Sequence, residues 1–479
     1  MVDEQAQTQN AEYAEIMTTT PFTETTLSPF LIEALRQMGH TTMTKVQAKA
    51  IPLILMGKNV AAKAHTGSGK SLAFLLPAID LIHKAGMRNR HGTGVLIITP
   101  TRELALQLYH VAAKLVEATN IEIGLSIGGT SRQKEANVLT RGACLLIATP
   151  GRLCDHLANT PGFKTDRLFL VVFDEADMLM DMGFADELSN IMRLLPGPDD
   201  RTACFFSATM SDRCVDVPHV RVNKDTLEHI DVDSEAKSAT REGFEQGYII
   251  CPPEQRFLLL YTFIKRRANK KIIVFFNSRD SVEFYCEFLR HIGMKSVLML
   301  EGGMKQSHRT QTYNEFANAQ FGVLFATNVA ARGLDLPDID FVIQYDPPES
   351  VESYVHRVGR ACRGANGRKG MGILFLLENE GRFINFLREQ AITLFEFEFP
   401  SSKIINVQEE MENIVGTVYY LRRKAQDAYK SFLAAYASHP LKKVFNPNRL
   451  DLEMLGRSFG LREVPYVPFA GCKPFRREN

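Results

Sequence analysis

The sequence has little that would support a disulfide-stapled, metal-cluster or membrane protein. None of its eight cysteines forms a CxxC pair, and no cysteine–histidine cluster has the spacing of a zinc site. We therefore expect thiols in a reducing compartment rather than a disulfide framework. No apolar run approaches the ~18 residues that span a bilayer, which predicts no membrane partner. The polar, acidic residues 1–21 lack the apolar stretch of a signal peptide, and we expect a short disordered lead-in.

The chain also lacks a strong net charge. Its formal net charge is +1, which excludes a global basic field. Any affinity for nucleic acid must therefore come from a local patch. At 479 residues the chain is too long for one ordinary core, so two domains and an appendage are expected.

What is present is an alternation of short apolar runs with longer amphipathic segments. Continuous runs such as "GVLIITP" (94–100) and "LFLVVFDEAD" (168–177) predict buried parallel strands joined by crossover helices, an α/β fold. The alternation resumes at "KIIVFFNS" (271–278), which indicates a second domain of the same architecture. The predicted segments are a first domain over 22–221, a linker over 222–243, a second domain over 244–400 and a mainly helical C-terminal extension over 401–479.

The stretch "AHTGSGKS" (64–71) fits the phosphate-loop pattern, with Ala64 in place of the first glycine. It follows an apolar strand and opens a helix, which is the context that this pattern requires. Its glycines would let backbone N–H groups approach phosphate oxygens, its lysine would reach the outer phosphates, and its serine is suited to Mg²⁺. The residues in these roles are Gly67, Gly69, Lys70 and Ser71.

A second acidic motif, "VVFDEAD" (171–177), ends another buried strand. Asp174 is placed to coordinate Mg²⁺, and Glu175 to orient or deprotonate an attacking water. A DE pair alone more often marks the start of a helix, where the helix dipole favours negative charge. Together with the phosphate loop, however, the pair specifies an ATPase.

Three arginines stand three apart in "YVHRVGRACRG" (354–364). Like charges at this spacing crowd one helix face and need a negative partner. Surface salt bridges are the ordinary explanation for an isolated stretch of this kind. Beside a phosphate-binding domain, we expect Arg360 and Arg363 instead to reach the γ-phosphate as arginine fingers.

The ordered set of motifs resembles the DEAD-box ATP-dependent RNA helicases, which have two RecA-like domains. The resemblance covers residues 22 to about 380, and the ordered combination is specific. The motifs are "AHTGSGKS" (64–71), "PTREL" (100–104), "GG" (128–129), "TPGR" (149–152), "DEAD" (174–177), "SAT" (207–209), "ARGLD" (331–335) and "HRVGR" (356–360).

The resemblance implies a set of ATP contacts. Gln47 matches the glutamine that reads the adenine, and Phe22 matches the aromatic residue upstream of it. The family usually has an aromatic residue after the glycine in the position of Gly39, where this chain has His40, whose ring can also stack on adenine. Asp335 matches a nucleotide contact of the second domain. The loop residues assigned to ATP are Ala64, His65, Thr66, Gly67, Ser68, Gly69, Lys70 and Ser71.

The resemblance also implies coupling and RNA-binding residues. The element that couples hydrolysis to strand separation matches Ser207, Ala208, Thr209, His356 and Arg357. Hydroxyls, backbone N–H groups and arginines suit recognition of the sugar–phosphate backbone without base reading. The positions that match RNA contacts are Pro100, Thr101, Arg102, Gly129, Thr149, Arg152, Arg309 and Thr327. Glu301 stands where the family more often has histidine, so we expect no RNA contact there.

The C-terminal segment resembles the extension of the nucleolar DEAD-box helicases of large-subunit ribosome assembly, in particular the Has-type branch. Tyr429, Phe432 and Tyr436 share one helix face; packing on the second domain is the favoured interpretation, and an RNA or protein dock the alternative. The basic segment "KRRANKK" (265–271) is equally consistent with a nuclear signal and with a solvated helix end.

These features predict a monomeric RNA-stimulated ATPase that uses ATP and Mg²⁺ to unwind short RNA duplexes or remodel RNA–protein particles. The resemblance implies pre-rRNA and pre-ribosomal proteins as partners, and the nucleus and nucleolus as location. Two alternatives remain open: an ATP-gated RNA clamp with a structural role, and a DNA-directed translocase.

Overall fold

The computed structural model folds into two compact units, Met1–Ser238 and Ala239–Asn479. It describes residues 17–65, 67–181, 183–210, 212–215, 222, 227–232, 245–328, 339–359, 370–390 and 392–467. Among these residues, no helix is both long enough and apolar enough to cross a bilayer. The cysteines that they include are free thiols.

The first unit is built on a parallel sheet with helices between its strands. Its strands are β1 (Met17–Pro21), β2 (Thr42–Thr44), β3 (Val60–Lys63), β4 (Val95–Ile98), β5 (Ile123–Ser126), β6 (Leu145–Ala148), β7 (Leu170–Asp174), β8 (Thr202–Ser207) and β9 (Glu228–Asp231). Its helices are α1 (Pro29–Gln37), α2 (Lys45–Leu55), α3 (Lys70–Lys84), α4 (Arg102–Val116), α5 (Arg132–Arg141), α6 (Pro150–Asn159), α7 (Ala176–Asp181), α8 (Ala185–Leu194) and α9 (Asp212–Val215).

The order of the described strands in this sheet is β5-β6-β4-β7-β8-β3-β9, and every pairing is parallel. Strands β4, β6 and β7 are buried along their whole length. Both of their faces are covered, which explains why the sequence shows continuous apolar runs rather than alternation.

Two predicted boundaries of the first unit are wrong. The lead-in was predicted to be disordered through residue 21, but β1 pairs antiparallel with β2. The linker was predicted from residue 222, but β9 pairs with β3 and completes the sheet. Both strands are short and polar, so the sequence offers no apolar run that would reveal them.

The second unit repeats this architecture. Its strands are β10 (Glu245–Ile250), β11 (Lys271–Phe276), β12 (Val297–Leu300), β13 (Gly322–Thr327), β14 (Phe341–Gln344), β15 (Met371–Leu376) and β16 (Phe395–Glu396). Its helices are α10 (Arg256–Arg266), α11 (Arg279–His291), α12 (Gln306–Asn318), α13 (Val351–Val358), α14 (Phe383–Glu389), α15 (Gln408–Thr417), α16 (Tyr419–Ser438) and α17 (Leu452–Ser458). The described strands lie in the order β12-β13-β11-β14-β15-β10-β16, all parallel.

The C-terminal extension shares the core of the second unit. Helix α16 packs on α11, and its apolar residues belong to the same buried cluster as Phe257 and Leu260 of α10. Tyr429, Phe432 and Tyr436 are all buried in that cluster. The packing interpretation of these aromatics is therefore confirmed, and their rings are not available as a dock.

The basic segment 265–271 has partners inside the second unit. Arg266 donates to the carbonyl of Lys403 at 2.7 Å, and Lys270 pairs with Asp340 at 3.0 Å. Lys271 is buried and donates to the carbonyl of Ala317. Several charges of this segment therefore have structural partners, as expected where the end of a helix leads into a strand.

Candidate functional site

All strands of the first sheet point the same way, so the loops at their carboxyl ends share one edge, where open α/β sheets bind ligands. The predicted ATP segments follow or end β3, β7 and β8, which are neighbours in the sheet. The predicted RNA segments follow β4, β5 and β6, which form the other half. The fold thus separates the two predicted sites along one edge of the first unit.

The phosphate-loop pattern connects β3 to α3 as predicted. Gly67 and Gly69 have φ of +86° and +90°, a backbone region that favours glycine. The hydroxyl and the backbone N–H of Ser68 both donate to the carbonyl of His65, at 2.7 and 3.3 Å. Helix α3 begins at Lys70, so its free N-terminal N–H groups and positive dipole end face the loop. Thr66 lies outside the described residues.

Gln47 holds the end of this loop. Thr44 and Gln47 form a capping box at the start of α2, and the Gln47 Nε2 donates to the carbonyl of Gly69 at 3.1 Å. A Cβ atom at residue 69 would lie 2.5 Å from Nε2, so this contact needs glycine. Both the Nε2 and the Oε1 of the predicted adenine reader are therefore engaged by local backbone.

The other two predicted adenine contacts differ in exposure. His40 is exposed beside β2, where its ring is accessible to a base. Phe22 is only 2% exposed and lies among the core residues of the first unit. The contact predicted for Phe22 is therefore not supported, because this ring is a core residue. Burial of this ring is a tertiary effect that the local sequence does not reveal.

The lysine and the two acidic residues meet at the end of β7. Lys70 and Glu175 are 7% and 6% exposed, and the Nζ and Oε2 atoms lie 3.5 Å apart. Burial and the Glu175 carboxylate raise the pKa of Asp174 to about 7, whereas Lys70 and a hydrogen bond from Thr99 favour its ionised form. Glu175 has φ of +48°, the one positive φ outside glycine among the described residues. This uncommon backbone conformation aims the side chain at Lys70 and is typical of functional sites.

A hydrogen bond links "DEAD" to "SAT" inside the first unit. The Thr209 hydroxyl donates to Asp177 Oδ2, and Asp177 Oδ1 accepts from the N–H of Met178 at 2.8 Å. The buried Ser207 exchanges hydrogen bonds with the backbone of Thr209, and its carbonyl accepts from the N–H of Ala64 at 3.0 Å. Ala208, between them, is buried. These bonds connect the predicted coupling element to the phosphate loop.

Asp177 and Thr99 have no role predicted from the sequence, although both contact predicted site residues. The Thr99 hydroxyl donates to Asp174 at 3.4 Å from the end of β4. Asp177 could have been found, because it is the last acidic residue of the same motif. Thr99 had no signal beyond its place at a strand end.

The predicted RNA residues line the other half of the edge. Thr101 caps α4 by accepting from the N–H of Leu104, and Arg102 extends past Gly128, where a Cβ would lie 2.7 Å from Nη2. Gly129 has φ of +82°, and Thr149 is the N-cap of α6. Pro100 lies between β4 and Thr101 at the same edge.

Arg152 is held by a buried carboxylate. Its Nη1 lies 3.0 Å from Glu135 Oε2, and the same oxygen lies 2.9 Å from Nε2 of His156, which is fully buried. Both guanidinium Nη groups also donate to the carbonyl of Thr130. Glu135 was not predicted, because its position inside α5 looks like an ordinary charged helix face.

In the second unit, the predicted RNA residues lie near the carboxyl ends of β12 and β13. Thr327 ends β13, and Arg309 lies in the first turns of α12. Glu301 is buried and accepts from the N–H of Gly303 at 2.5 Å. The Glu301 carboxylate also lies 3.9 Å from Nε of Arg279. Both of these contacts are made within the second unit.

His356 and Arg357 lie in α13 and are buried. The Arg357 guanidinium donates to Asn277 Oδ1 at 2.6 Å, Asn328 Oδ1 at 2.5 Å and the carbonyl of Asp346 at 2.6 Å. It therefore ties together the ends of β11, β13 and β14, which are adjacent in the sheet. The predicted residues Asp335, Arg360 and Arg363 lie outside the described residues.

Three family models match the chain in order. They are described as DEAD/DEAH box helicase (residues 44–217), helicase conserved C-terminal domain (255–365) and ATP-dependent rRNA helicase SPB4-like, C-terminal extension (418–467). The last of these covers the whole of α16 and of α17.

Curated relatives match along nearly the whole chain. The ATP-dependent RNA helicase HAS1 of Saccharomyces cerevisiae is 47% identical over 446 residues, which are 93% of this chain and 88% of that protein. The ATP-dependent RNA helicase has1 of Emericella nidulans is also 47% identical, over 93% of this chain and 73% of its own length.

Solved structures share the fold. Mss116p bound to single-stranded RNA and AMP-PNP matches with a TM-score of 0.71 and 26% identity, over 90% of this chain and 93% of that one. Dbp5 of S. cerevisiae bound to RNA and ADP BeF3 gives 0.68 and 24% identity, over 85% and 100%. The tandem RecA-like fold predicted from the sequence is confirmed. With two helicase models and an extension model matched in order, this chain belongs to the DEAD-box family of ATP-dependent RNA helicases.

Proposed function

We propose that the chain uses ATP to unwind short RNA duplexes or remodel RNA–protein particles during large-subunit rRNA processing. The observation that carries this proposal is the C-terminal extension, which matches the rRNA-helicase extension model and is built into the second unit. The proposal places the protein in the nucleolus as a monomer that works on pre-rRNA with pre-ribosomal proteins.

In this proposal the edge formed by β3, β7 and β8 binds ATP. The backbone N–H groups of the glycine-rich loop and of the first turn of α3 would donate to phosphate oxygens. Lys70, already buried at this edge, would exchange part of its contact with Glu175 for the outer phosphates. His40 would stack on the base, while Gln47 fixes the loop through Gly69.

The donors at this edge fit Mg²⁺, which prefers a few oxygen ligands and the phosphates of its substrate. Asp174 offers a buried carboxylate, and a divalent cation would favour its ionised form and so reverse the raised pKa. Ser71 offers a hydroxyl in the first turn of α3. Asp174 and Ser71 would hold the ion, whose charge would offset that of the phosphates.

Glu175 is the residue that we assign to the attacking water. Its backbone conformation holds the carboxylate at the strand end, beside the lysine that would contact the outer phosphates. A carboxylate there can orient the water and accept its proton. We extend the proposal to Arg360 and Arg363, which the resemblance assigns to the γ-phosphate.

The edge formed by β4, β5 and β6 would hold the RNA backbone. Arg102, Gly129 and Thr149 offer a guanidinium, a backbone N–H and a hydroxyl, which recognise phosphate and ribose rather than bases. The hydrogen bond between Thr209 and Asp177 would respond to whether ATP is bound at the edge formed by β3, β7 and β8. Because RNA and ATP would favour the same state of the protein, each would tighten the binding of the other.

A paired assay tests the proposal. Steady-state ATPase activity and single-turnover unwinding of a short RNA duplex are measured for the wild type and for Lys70→Ala. We expect RNA to stimulate ATP hydrolysis, the duplex to separate with ATP, and Lys70→Ala to lose both activities. ATP-dependent RNA binding without unwinding would instead indicate a clamp, and equal stimulation by single-stranded DNA would indicate a DNA-directed translocase.

Crosslinking the protein to RNA in cells tests the cellular part of the proposal. We expect the sequenced sites to fall in precursors of large-subunit rRNA, and we expect the protein to sediment with pre-ribosomal particles. Sites spread over messenger RNA would contradict the assignment to ribosome assembly without affecting the ATPase assignment.

A further inference from the structure

The loop that leads into α13 is held by hydrogen bonds from neighbouring elements. It runs from Tyr345 to Ser350, immediately after β14. Asp346 Oδ2 accepts from the backbone N–H of Asn277 at 2.9 Å, and the Asn277 side chain donates to the carbonyl of Pro347 at 2.7 Å. The Ser350 side chain then caps α13 by accepting from the N–H of Ser353. The position of this loop therefore sets the position of the helix that carries His356 and Arg357.

The side chain of Arg256 in α10 contacts the first two residues of this loop. It is fully buried, lies 3.0 Å from Asp346 Oδ1 and also donates to the carbonyl of Tyr345. Its guanidinium lies over the ring of Tyr345, 4.6 Å from the centroid, and 5.5 Å from the centroid of Phe432 in the extension. An arginine buried this deeply requires such partners, because an unpaired buried charge is strongly destabilising.

The extension reaches the same loop directly through His439. The N–H of Leu441 donates to Nδ1 of His439 at 3.1 Å, so the ring proton lies on Nε2. Nε2 then donates to the carbonyl of Pro348 at 3.1 Å. His439 is 4% exposed and packs on Phe445, which fixes the ring. A short path of contacts therefore joins the extension to Arg357. His439 contacts Pro348, and Arg357 contacts Asp346, two residues earlier in the same loop.

We propose that the C-terminal extension positions the arginine-bearing helix α13 for ATP hydrolysis, with His439 and Arg256 as positioning residues that act through the loop 345–350. This inference rests on the proposed function, which extends the ATPase reaction to Arg360 and Arg363, the arginines that follow α13 in the sequence. It concerns placement rather than contact with substrate. The extension of this protein thus takes part in turnover as well as in the stability of the second unit.

The alternative is that His439 only fills space in the core. A loss of packing alone would lower the stability of the second unit without changing turnover by the folded enzyme. A small displacement of α13 and of the arginines that follow it, in contrast, lowers kcat, because positioning errors of about 1 Å can cost up to ~100-fold. Comparing kcat between variants with a similar loss of stability therefore distinguishes positioning from packing.

The test compares His439→Phe with Tyr429→Phe in the full chain. His439→Phe keeps a ring but removes both hydrogen bonds, including the one to Pro348. Tyr429→Phe removes one partly buried hydrogen bond of α16, the helix that ends just before His439. Its acceptor is the carbonyl of Leu452, which belongs to the extension and not to the loop 345–350. Thermal unfolding, ATP KM, RNA affinity and RNA-stimulated kcat are measured below the unfolding transition of each variant.

We expect His439→Phe to lower kcat about tenfold or more, with the ATP KM and the RNA affinity changed less than about threefold. Tyr429→Phe should keep the wild-type kcat despite a comparable shift in unfolding temperature. His439→Gln, which retains an N–H donor for Pro348, should recover most of the lost kcat. Equal kcat for His439→Phe and Tyr429→Phe would overturn the proposal.

If His439→Phe does not fold, Arg256→Lys decides the question. Lysine keeps the charge, but its ammonium lies one bond short of Nη2, the atom that reaches both Asp346 and the carbonyl of Tyr345, and it has no planar guanidinium to lie over the Tyr345 ring. We expect a lower kcat with unchanged ATP KM, and an unchanged kcat would overturn the proposal. A wild-type protein without RNA-stimulated ATPase activity would instead contradict the proposed function itself.

Discussion

At the scale of single residues, the candidate site depends on a backbone conformation as much as on side-chain identity. Glu175 follows β7 in the left-handed region, where only a few per cent of non-glycine residues lie. That conformation brings its carboxylate to Lys70 instead of continuing the strand direction. The ion pair offsets part of the cost of burying the two charges, and a strained backbone of this kind is typical of functional sites.

Glu175→Gln tests the role of this carboxylate. The amide keeps the shape of the side chain but does not accept the proton of the attacking water, so we expect kcat for ATP hydrolysis to fall ~100-fold or more. Binding of ATP and RNA should persist, and an RNA-bound complex should accumulate because it does not turn over. Rapid-quench ATPase assays and RNA filter binding measure the two effects.

The control for this variant is Glu117→Gln at the exposed end of α4, which changes the same charge far from the strand ends. It should behave like the wild type. Brisk turnover by the Glu175→Gln protein would contradict the assignment of Glu175 to the water.

Residue identity was predictable wherever a motif names it. The pattern "AHTGSGKS" placed Lys70 beside "DEAD", and the structure brings the two within hydrogen-bonding range. It did not reveal that Phe22 is a core residue, or that Glu135 holds Arg152 from another helix. Burial and pairing between elements depend on the sheet order, which a local pattern does not contain.

At the scale of elements, strand prediction succeeded where strands are buried on both faces. Central strands such as β7 ("LVVFD") and β11 ("KIIVFF") are buried along their whole length and are visible in the sequence as apolar runs. Strands β1 and β9 were missed because "MTTTP" and "EHID" contain few apolar residues. Both acquire their structure from a neighbouring strand, β2 and β3 respectively, rather than from a buried face of their own.

The junction between the glycine-rich loop and α3 gives an element-scale prediction. Gly67→Ala and Gly69→Ala both force alanine to a positive φ, which costs ~1–2 kcal/mol. A Cβ at residue 67 meets no atom within 4 Å, whereas at residue 69 it lies 2.5 Å from the Gln47 side chain. We expect Gly69→Ala to be the less stable of the two by ~1 kcal/mol or more, because Gln47 must also move.

Urea unfolding of the two variants measures this difference, with Gly67→Ala as the matched control for backbone strain. ATP affinity should fall in both, since both residues shape the phosphate loop. In a Gln47→Ala background, Gly69→Ala should cost less than it does in the wild type, with the Thr44 side chain, 3.0 Å from the same Cβ, accounting for what remains. Equal stabilities of the two single variants would contradict the proposed role of the Gln47 contact.

At the scale of the whole molecule, the C-terminal extension belongs to the second unit. The buried cluster of this unit includes Phe257 and Leu260 of α10 as well as Leu433 and Phe459 of the extension. Tyr285 of α11 also donates to the carbonyl of Ser458 at 3.1 Å. Because this apolar surface is shared, we expect the extension and the second sheet to unfold together, separately from the first unit.

Leu433→Ala provides the test, because Leu433 is fully buried in the extension. The cavity should cost ~2–5 kcal/mol, and the loss should fall on the whole second unit rather than on the extension alone. Hydrogen exchange read by mass spectrometry suits this chain, which has no tryptophan for fluorescence. Amides of β11, β14 and α16 should all exchange faster in the variant, while those of β4 and β7 should keep their wild-type rates.

Leu76→Ala in α3 is the reciprocal control, since Leu76 is fully buried in the core of the first unit. It should accelerate exchange in β4 and β7 and leave β11, β14 and α16 unchanged. Faster exchange in α16 alone after Leu433→Ala would mean that the extension opens independently of the sheet. The shared buried cluster would then not unfold as one cooperative unit.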